Sequence, residues 1–406
     1  MIEGVVTYLL TSAVPFVLVL SLVVFVHEFG HFQVGRWCKI AIDTFSLGFG
    51  KTLLSWRDKQ GVEWRVAALP LGGYVKFKDD ADPMSTGPTS RYTTPEALQS
   101  ARAQGLFHAM PVGARALTTA AGPLTNFIFS ILVFALLAFF LGRDITPVAQ
   151  LSPRIDTVRA DGPAANAGLQ GGDVVRAIDG RAIASFGAMQ ETVRAAPGKT
   201  LTFDVERAGQ RLSFPVVVGE RTDIDLTGVE TPTGFLSVER QTLPEERQLQ
   251  KFGPIESIGV GAAQVWDIIA STGAYIGNIF SGRASAEHIA GPAGIFDTSG
   301  KVARSAFVGE ASFADKVAGL ALSLLAFAAT LSVAVGIVNL LPVPILDGGH
   351  LVFYAIEAIR GRPLSPKAQE IGFQAGFAMI ISLFLFATWN DLQRFKLLEF
   401  VGRILS

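Results

Sequence analysis

Charge is scarce in this chain of 406 residues. Only 17% of the residues are Asp, Glu, Lys or Arg, where a soluble globular domain carries about 25%. Half of the chain (50%) is hydrophobic, and the missing charge is missing mainly from long apolar runs, which points to an integral membrane protein. A net charge of −1 gives no electrostatic footprint for a nucleic-acid partner, and none is expected. Cys38 is the only cysteine, so an intrachain disulfide is excluded and the redox compartment cannot be read from it. No Lys or Arg precedes the first apolar run and no A-x-A cleavage site follows it, so this segment is expected to stay in the mature protein. Tandem repeats and low-complexity tracts are also missing.

Four stretches are long enough to cross a hydrocarbon core, which takes roughly 20 apolar residues. They lie near 9–35, 116–141, 317–343 and 371–389. A fifth, near 259–280, carries Gln264, Asp267 and many small residues, and reads as an interfacial or re-entrant helix. Arg36, Lys39, Lys51, Arg57 and Lys59 follow the first stretch. By the positive-inside rule the N-terminus is then outside and the following loop cytoplasmic, with 142–315 and the C-terminus outside. Arg394, Lys396 and Arg403 in the tail oppose this mildly. Residues 147–222 alternate short β-like runs with Gly and Pro turns and read as a small folded domain. Residues 81–105 are polar and turn-rich, as in a cytoplasmic loop.

The chemistry concentrates in His27-Glu28-Phe29-Gly30-His31. Histidines four apart share a helix face, so both imidazoles can reach one Zn²⁺. Glu28 beside them is placed to take a proton from a water acidified by the metal. Two histidines and a carboxylate inside an apolar helix are costly unless they face the protein interior and act there. A catalytic zinc keeps three protein ligands and an open position. Asp347, in Asn339-Leu340-Leu341-Pro342-Val343-Pro344-Ile345-Leu346-Asp347-Gly348-Gly349-His350, is the best third ligand, because Pro342 and Pro344 break the helix just before it. Four spans bring Asp347 to the same membrane face as His27, and five would not. His350 is a rival ligand. Cys38 is a poorer one, about 10 Å further along the helix axis.

Ala68-Leu69-Pro70-Leu71-Gly72-Gly73-Tyr74-Val75-Lys76-Phe77 reads as a hairpin, with Gly72-Gly73 turning and Tyr74 opening a strand. A membrane helix must be extended before it is cut, and a strand edge can receive it by strand addition. A hairpin without a substrate role is the alternative. Phe45-Ser46-Leu47-Gly48-Phe49-Gly50-Lys51 lacks the elements of a phosphate loop.

HEFGH in the first span, NLLPVPILDGGH after the third, and Ala167-Gly168-Leu169-Gln170-Gly171-Gly172-Asp173-Val174-Val175 between the second and third resemble the site-2 proteases over essentially the whole chain. The last motif looks like a bacterial PDZ domain, and the chain has room for one. The resemblance implies an α-helical polytopic membrane protein with four transmembrane helices, a membrane-associated β-hairpin region and an inserted PDZ-like α+β domain. Its parts would be 1–141 (with a re-entrant β-loop at 40–80), a periplasmic 147–222, a linker with amphipathic helices at 223–315, and 316–406. It implies a zinc metalloendopeptidase of the bacterial inner membrane with one Zn²⁺ per chain. His27, His31 and Asp347 would be ligands, Glu28 the general base, and the site would lie towards the cytoplasmic side. Asn339 would contact substrate backbone or the oxyanion, or satisfy a carbonyl at the broken helix. Asn126 would contact substrate or join helices. Gly168 and Leu169 would belong to a PDZ groove that binds peptide tails, or to a domain that only filters substrates by size. The expected partners are the lipid bilayer and single-span membrane proteins, such as an anti-sigma factor or remnant signal peptides. Two other classes remain open: a transporter using the intramembrane His and Asp, and an inactive scaffold.

Overall fold

The computed structural model describes residues 2–79, 92, 94–225, 229–307 and 312–394. Residues 81–91 and 93 of the polar stretch 81–105 lie outside them, as do Lys396 and Arg403. Within the described part the expected loop is corrected, because Pro95–Ala103 form a helix whose N-terminus is capped by the Thr94 side chain. Among the described residues, four helical segments are long and apolar enough to cross a membrane: Thr11–Trp37, Val112–Leu141, Phe313–Asn339 and Pro366–Gln393. The chain divides into two compact units, one of 1–137, 254–269 and 287–406, the other of 138–253 and 270–286.

In the first unit, α1 (Ile2–Trp37) ends without a glycine cap. Lys39 takes the left-handed conformation (φ 59°), and Ile40 N donates back to Gly35 O at 2.9 Å. Two long bent strands follow, β1 (Ile42–Arg57) and β2 (Glu63–Phe77). Residues 44–47 of β1 pair with both ends of β2, Phe45 with Val75 and with Trp64, so the sheet curls on itself. The turn between the strands is at 58–62, where the Asp58 carboxylate accepts from the amides of Gln60 (2.9 Å) and Val62 (3.0 Å). Gly72 and Gly73 lie where β2 folds back: residues 63–66 run alongside 44–47 in the same direction and 73–77 in the opposite direction, with Gly72 at φ 141°. The chain thus turns at Gly72-Gly73 as expected, but 44–47 of β1 lie between the two runs, so these do not pair with each other as a simple hairpin. Phe49, Leu53, Leu54, Trp56 and Leu69 of this sheet are exposed. Beyond it come α2 (Pro95–Ala103) and α3 (Val112–Leu141). Gly30 lets α1 meet α3 closely, since a Cβ there would lie 2.5 Å from Ala121 O.

The second unit extends past 222, the expected end of its folded domain. Its main sheet has the order β6–β5–β7–β8. It is flanked by β3 (Arg143–Asp144), β4 (Thr157–Val158) and α4 (Pro163–Asn166). The sheet strands are β5 (Val174–Ile178), β6 (Arg181–Ala182), β7 (Thr200–Arg207) and β8 (Gln210–Val217), with α5 (Phe186–Arg194) between β6 and β7. β9 (Gly219–Ile224) pairs with β10 (Glu230–Phe235). β11 (Val238–Glu239) returns to β4 and β12 (Leu249–Gln250) to β3. These returning strands explain why the unit continues to 253. Alternation along β7 buries Leu201, Phe203 and Val205 on one face, as a half-buried strand requires.

Asp173, with no exposed surface, takes two bonds from the Arg207 guanidinium, at 2.6 and 2.8 Å, and one from Gln170 N at 2.8 Å. Burial disfavours this carboxylate, but the Arg207 and Gln170 donors outweigh burial and hold its carboxyl below the ordinary carboxylate range. Removing one partner strands a buried charge. Because Arg207 is a quarter exposed (25%), we set the cost of Arg207→Leu at about 2 kcal/mol. Hydrogen exchange on the full chain should show it as faster opening of 155–218 at neutral pH. The folded pKa is depressed, so the pair's stabilisation is present at neutral pH and lost as pH falls through the folded value. The difference between variant and wild type should therefore shrink in acid. An unchanged exchange rate at pH 7 would show that the pair contributes nothing.

The first unit resumes with α6 (Pro254–Phe280), whose last turns belong to the second unit, then α7 (Pro292–Ser305) and α8 (Phe313–Asn339). α6 is not among the helices apolar enough to span. α9 (Asp347–Arg360) and α10 (Pro366–Arg394) complete the chain.

Candidate metal centre

On α1, His27 and His31 stand one turn apart with Nε2 atoms separated by 3.2 Å. α8 stops at Asn339, and Val343 N bonds to Leu341 O at 2.7 Å as the chain bends through Pro342 and Pro344. Gly348 and Gly349 are required by that bend. A Cβ on either would collide with the carbonyls of Leu341 or Val343. The bend sets Asp347 in the first turn of α9, where the helix dipole favours a carboxylate. Its Oδ2 lies 3.2 Å from His27 Nε2 and 3.5 Å from His31 Nε2.

This triangle fits a tetrahedral cation. Ligand bonds of about 2.0–2.1 Å put two tetrahedral ligand atoms about 3.3 Å apart, which is the size of all three edges. Asp347 Oδ2 is buried without a hydrogen-bond partner, as expected of an atom that needs a metal. These are the His/Cys/Asp/Glu ligand atoms that converge among the described residues. His350 packs instead near Phe373, with ring centroids 5.5 Å apart.

The site is braced from α3. His31 Nδ1 lies 2.9 Å from Thr118 O and His27 Nδ1 lies 3.1 Å from the amide nitrogen Nδ2 of Asn126. Between these contacts, Gly122 leaves room for the rings. A Cβ there would collide with His31 Nε2 and lie 2.6 Å from His31 Cε1 and 2.9 Å from His27 Cε1. Arg115, on the same helix, holds Glu357 of α9 at 2.6 Å with both side chains largely buried, and so anchors the helix that begins with Asp347. Sequence reasoning found neither Gly122 nor Thr118. The only signal was the Gly122-Pro123 pair preceding Asn126.

Glu28 is half-buried beside β2. A Cβ on Gly73 would lie 3.1 Å from Glu28 Cγ and 2.7 Å from Ser46 O, so glycine permits the strand to pass this close. Gly72, at φ 141°, passes against the Phe49 ring. Tyr74 stacks on that ring at 6.1 Å. The 73–77 end of β2 pairs on one side with β1, and its other edge has no strand partner among the described residues.

Two expected contacts are corrected. Asn126 has no exposed surface (0%) and reaches His27, so it does not offer itself to a substrate. Leu169 is 3% exposed and packs in the core of the second unit. The neighbouring Gly168 (φ 87°) turns the chain there. A groove of about 240 Å³ in that unit lies instead between α5 and β10–β11, lined by Arg159, Met189, Val193, Phe235 and Val238 among others. Asn339 donates to Val335 O at 3.1 Å, the carbonyl-satisfying role.

Comparison with known proteins places these observations. The family model described as peptidase family M50 matches residues 15–383. A relative from Agrobacterium fabrum with a zinc-metalloprotease designation is 43% identical over 380 residues, 93% of this chain and 95% of that protein. One from Rhizobium meliloti with the same designation is 40% identical over 377 residues, 93% and 95% of the two chains. Metalloprotease MmpA of Caulobacter vibrioides is 38% identical over 406 residues, 98% and 99% of the two chains. A solved PDZ domain of an SdrC-like protein from Listeria monocytogenes is similar over 22% of this chain and 85% of its own, at 21% identity. Its TM-score of 0.18 is too low to assign a fold.

Proposed function

This chain belongs to peptidase family M50 and is a zinc metalloprotease, and from that premise we propose that it cuts single-span membrane proteins within the bilayer. The observation that carries the reading is the convergence of His27 and His31 of an apolar helix with Asp347 at the start of α9. Glu28 lies on that same apolar helix, beside a strand edge that has no strand partner among the described residues. When bound, zinc supplies a Lewis acid that makes water nucleophilic near neutral pH and polarises a carbonyl.

The chain's residues do the rest. His27, His31 and Asp347 would hold the metal. Glu28 takes a proton from the attacking water and delivers it to the leaving amine. The 73–77 edge of β2, next to Glu28, receives the substrate as an added strand, through main-chain hydrogen bonds that require it to unwind first. Tyr74 is part of that edge, whereas Asn339 lies outside it, and a role for Asn339 in gripping substrate rests on the family resemblance alone. The basic residues 36–59 favour a site towards the cytoplasmic face with the second unit outside. That unit, read as a PDZ-like domain, then screens or binds substrates already shortened outside, such as an anti-sigma factor or a remnant signal peptide.

The test uses purified full-length protein in lipid vesicles with a single-span test substrate trimmed on its outer side. A zinc chelator should stop cleavage, and added Zn²⁺ should restore it. Cleavage that persists after complete metal removal, or confinement of activity to soluble peptides, would defeat the reading.

A further inference from the structure

The face of α3 towards α1 meets the imidazoles at the nitrogens that point away from the candidate metal position. At His31 the partner is a backbone carbonyl, Thr118 O. A carbonyl only accepts, so His31 carries its proton on Nδ1 and keeps a lone pair on Nε2. At His27 the partner is the side chain of Asn126, whose amide has a donor at one end and an acceptor at the other. The end that faces the ring decides which nitrogen holds the proton.

With Nδ2 donating, His27 would keep its lone pair on Nδ1 and point an Nε2–H at His31 Nε2 and Asp347 Oδ2, each 3.2 Å away. No cation could then sit between the three atoms. With Oδ1 facing the ring, Nδ1–H donates and the Nε2 lone pair joins that of His31. A half-turn about Cβ–Cγ exchanges the two ends, which are alike in shape. With Nδ2 facing the ring, Oδ1 is buried without a hydrogen-bond partner, so no second bond enforces that orientation. The metal-facing geometry of His27 therefore decides. Asn126 is itself pinned, since its backbone oxygen accepts from Ser130 Oγ at 2.8 Å and Ser332 Oγ at 3.3 Å.

We propose that Asn126 is a positioning residue for the metal. Its Oδ1 accepts from His27 Nδ1–H and fixes the tautomer and ring orientation, as Thr118 O does for His31. The proposal rests on the reading of His27, His31 and Asp347 as zinc ligands. It goes beyond that reading by assigning the second span, α3, a part in metal affinity. Two acceptors eight residues apart on α3, with Gly122 midway, match two histidines four apart on α1 because a side chain extends one contact and a backbone oxygen makes the other.

Zinc affinity of the full-length protein, measured by competition with a chromophoric chelator, tests this. Asn126→Ala should bind zinc about 10–100-fold more weakly, the usual effect of losing a partner behind a metal-bound histidine. Asn126→Asp offers only acceptors and should recover the wild-type affinity to within about threefold or exceed it. A residue that merely joins helices would lower the unfolding temperature of the metal-free protein and leave zinc affinity unchanged. A donor at this position would make Asp as damaging as Ala. Either outcome overturns the proposal. Should Asn126→Ala fail to fold, the near-isosteric Asn126→Leu replaces it with the same expectation. Wild-type protein that bound no zinc would instead defeat the ligand assignment.

Discussion

Glu28→Gln is expected to lower the cleavage rate about 10³-fold or more while the protein still binds one zinc ion. Glutamine keeps the size and shape of the side chain but cannot take a proton, and a positioned general base contributes about 10²–10⁴-fold. Loss of 10³-fold corresponds to about 4 kcal/mol of barrier. Metal binding should survive because the three converging ligand atoms come from His27, His31 and Asp347, and Glu28 is not among them. The measurement is single-turnover cleavage beside metal content on the same preparation. A fully zinc-loaded variant retaining a tenth of the wild-type rate would remove Glu28 from the chemistry.

Gly122→Ala should fail in the opposite way, by losing the metal. The added methyl would collide with His31 Nε2 and lie 2.9 Å from His27 Cε1, so at least one ring must shift by about 1 Å. His31 cannot simply rotate aside, because Thr118 O holds its other nitrogen at 2.9 Å. Zinc sites tolerate ligand displacements of about ±0.2 Å. We therefore expect zinc affinity to fall at least about 100-fold, beyond the range for an outer partner, with cleavage lost in proportion to zinc occupancy. Gly113→Ala is the control on the same helix, since a Cβ there meets no atom within 4 Å. Equal zinc affinity in the two variants would show that α1 and α3 are not packed as described. Glu28→Gln and Gly122→Ala together separate a site that binds but cannot react from one that cannot bind.

How much of this was legible beforehand depended on whether a feature is local in the chain. His27 and His31 could be paired from spacing alone, because the helical repeat sets neighbours without reference to other segments. Asp347 was reachable because Pro342 and Pro344 dictate a break, and because counting apolar runs decides which membrane face a loop occupies. Local rules fell short where pairing depends on a third segment. Gly72-Gly73 turns the chain, yet the two runs it joins are held apart by residues 44–47 of β1, and the glycines also permit the close passage of β2 past Phe49 and Glu28. Leu169 sits in a motif that suggests a ligand groove, yet its apolar side chain is spent on the core of the second unit.

Composition and periodicity by themselves determined four runs long and apolar enough to cross a membrane, two imidazoles on one helix face and a carboxylate after a proline-broken helix. Those properties follow from covalent geometry and the exclusion of charge from hydrocarbon, which act within a few residues. Only the tertiary structure decided that the three ligand atoms close to a triangle of zinc dimensions, and that Asn126 and Thr118 stand behind the histidines. It also decided that Gly122 must be bare and that a strand edge runs beside Glu28. Each of these joins segments tens to hundreds of residues apart, and their meeting is set by side-chain packing between helices, which spacing along a chain does not encode.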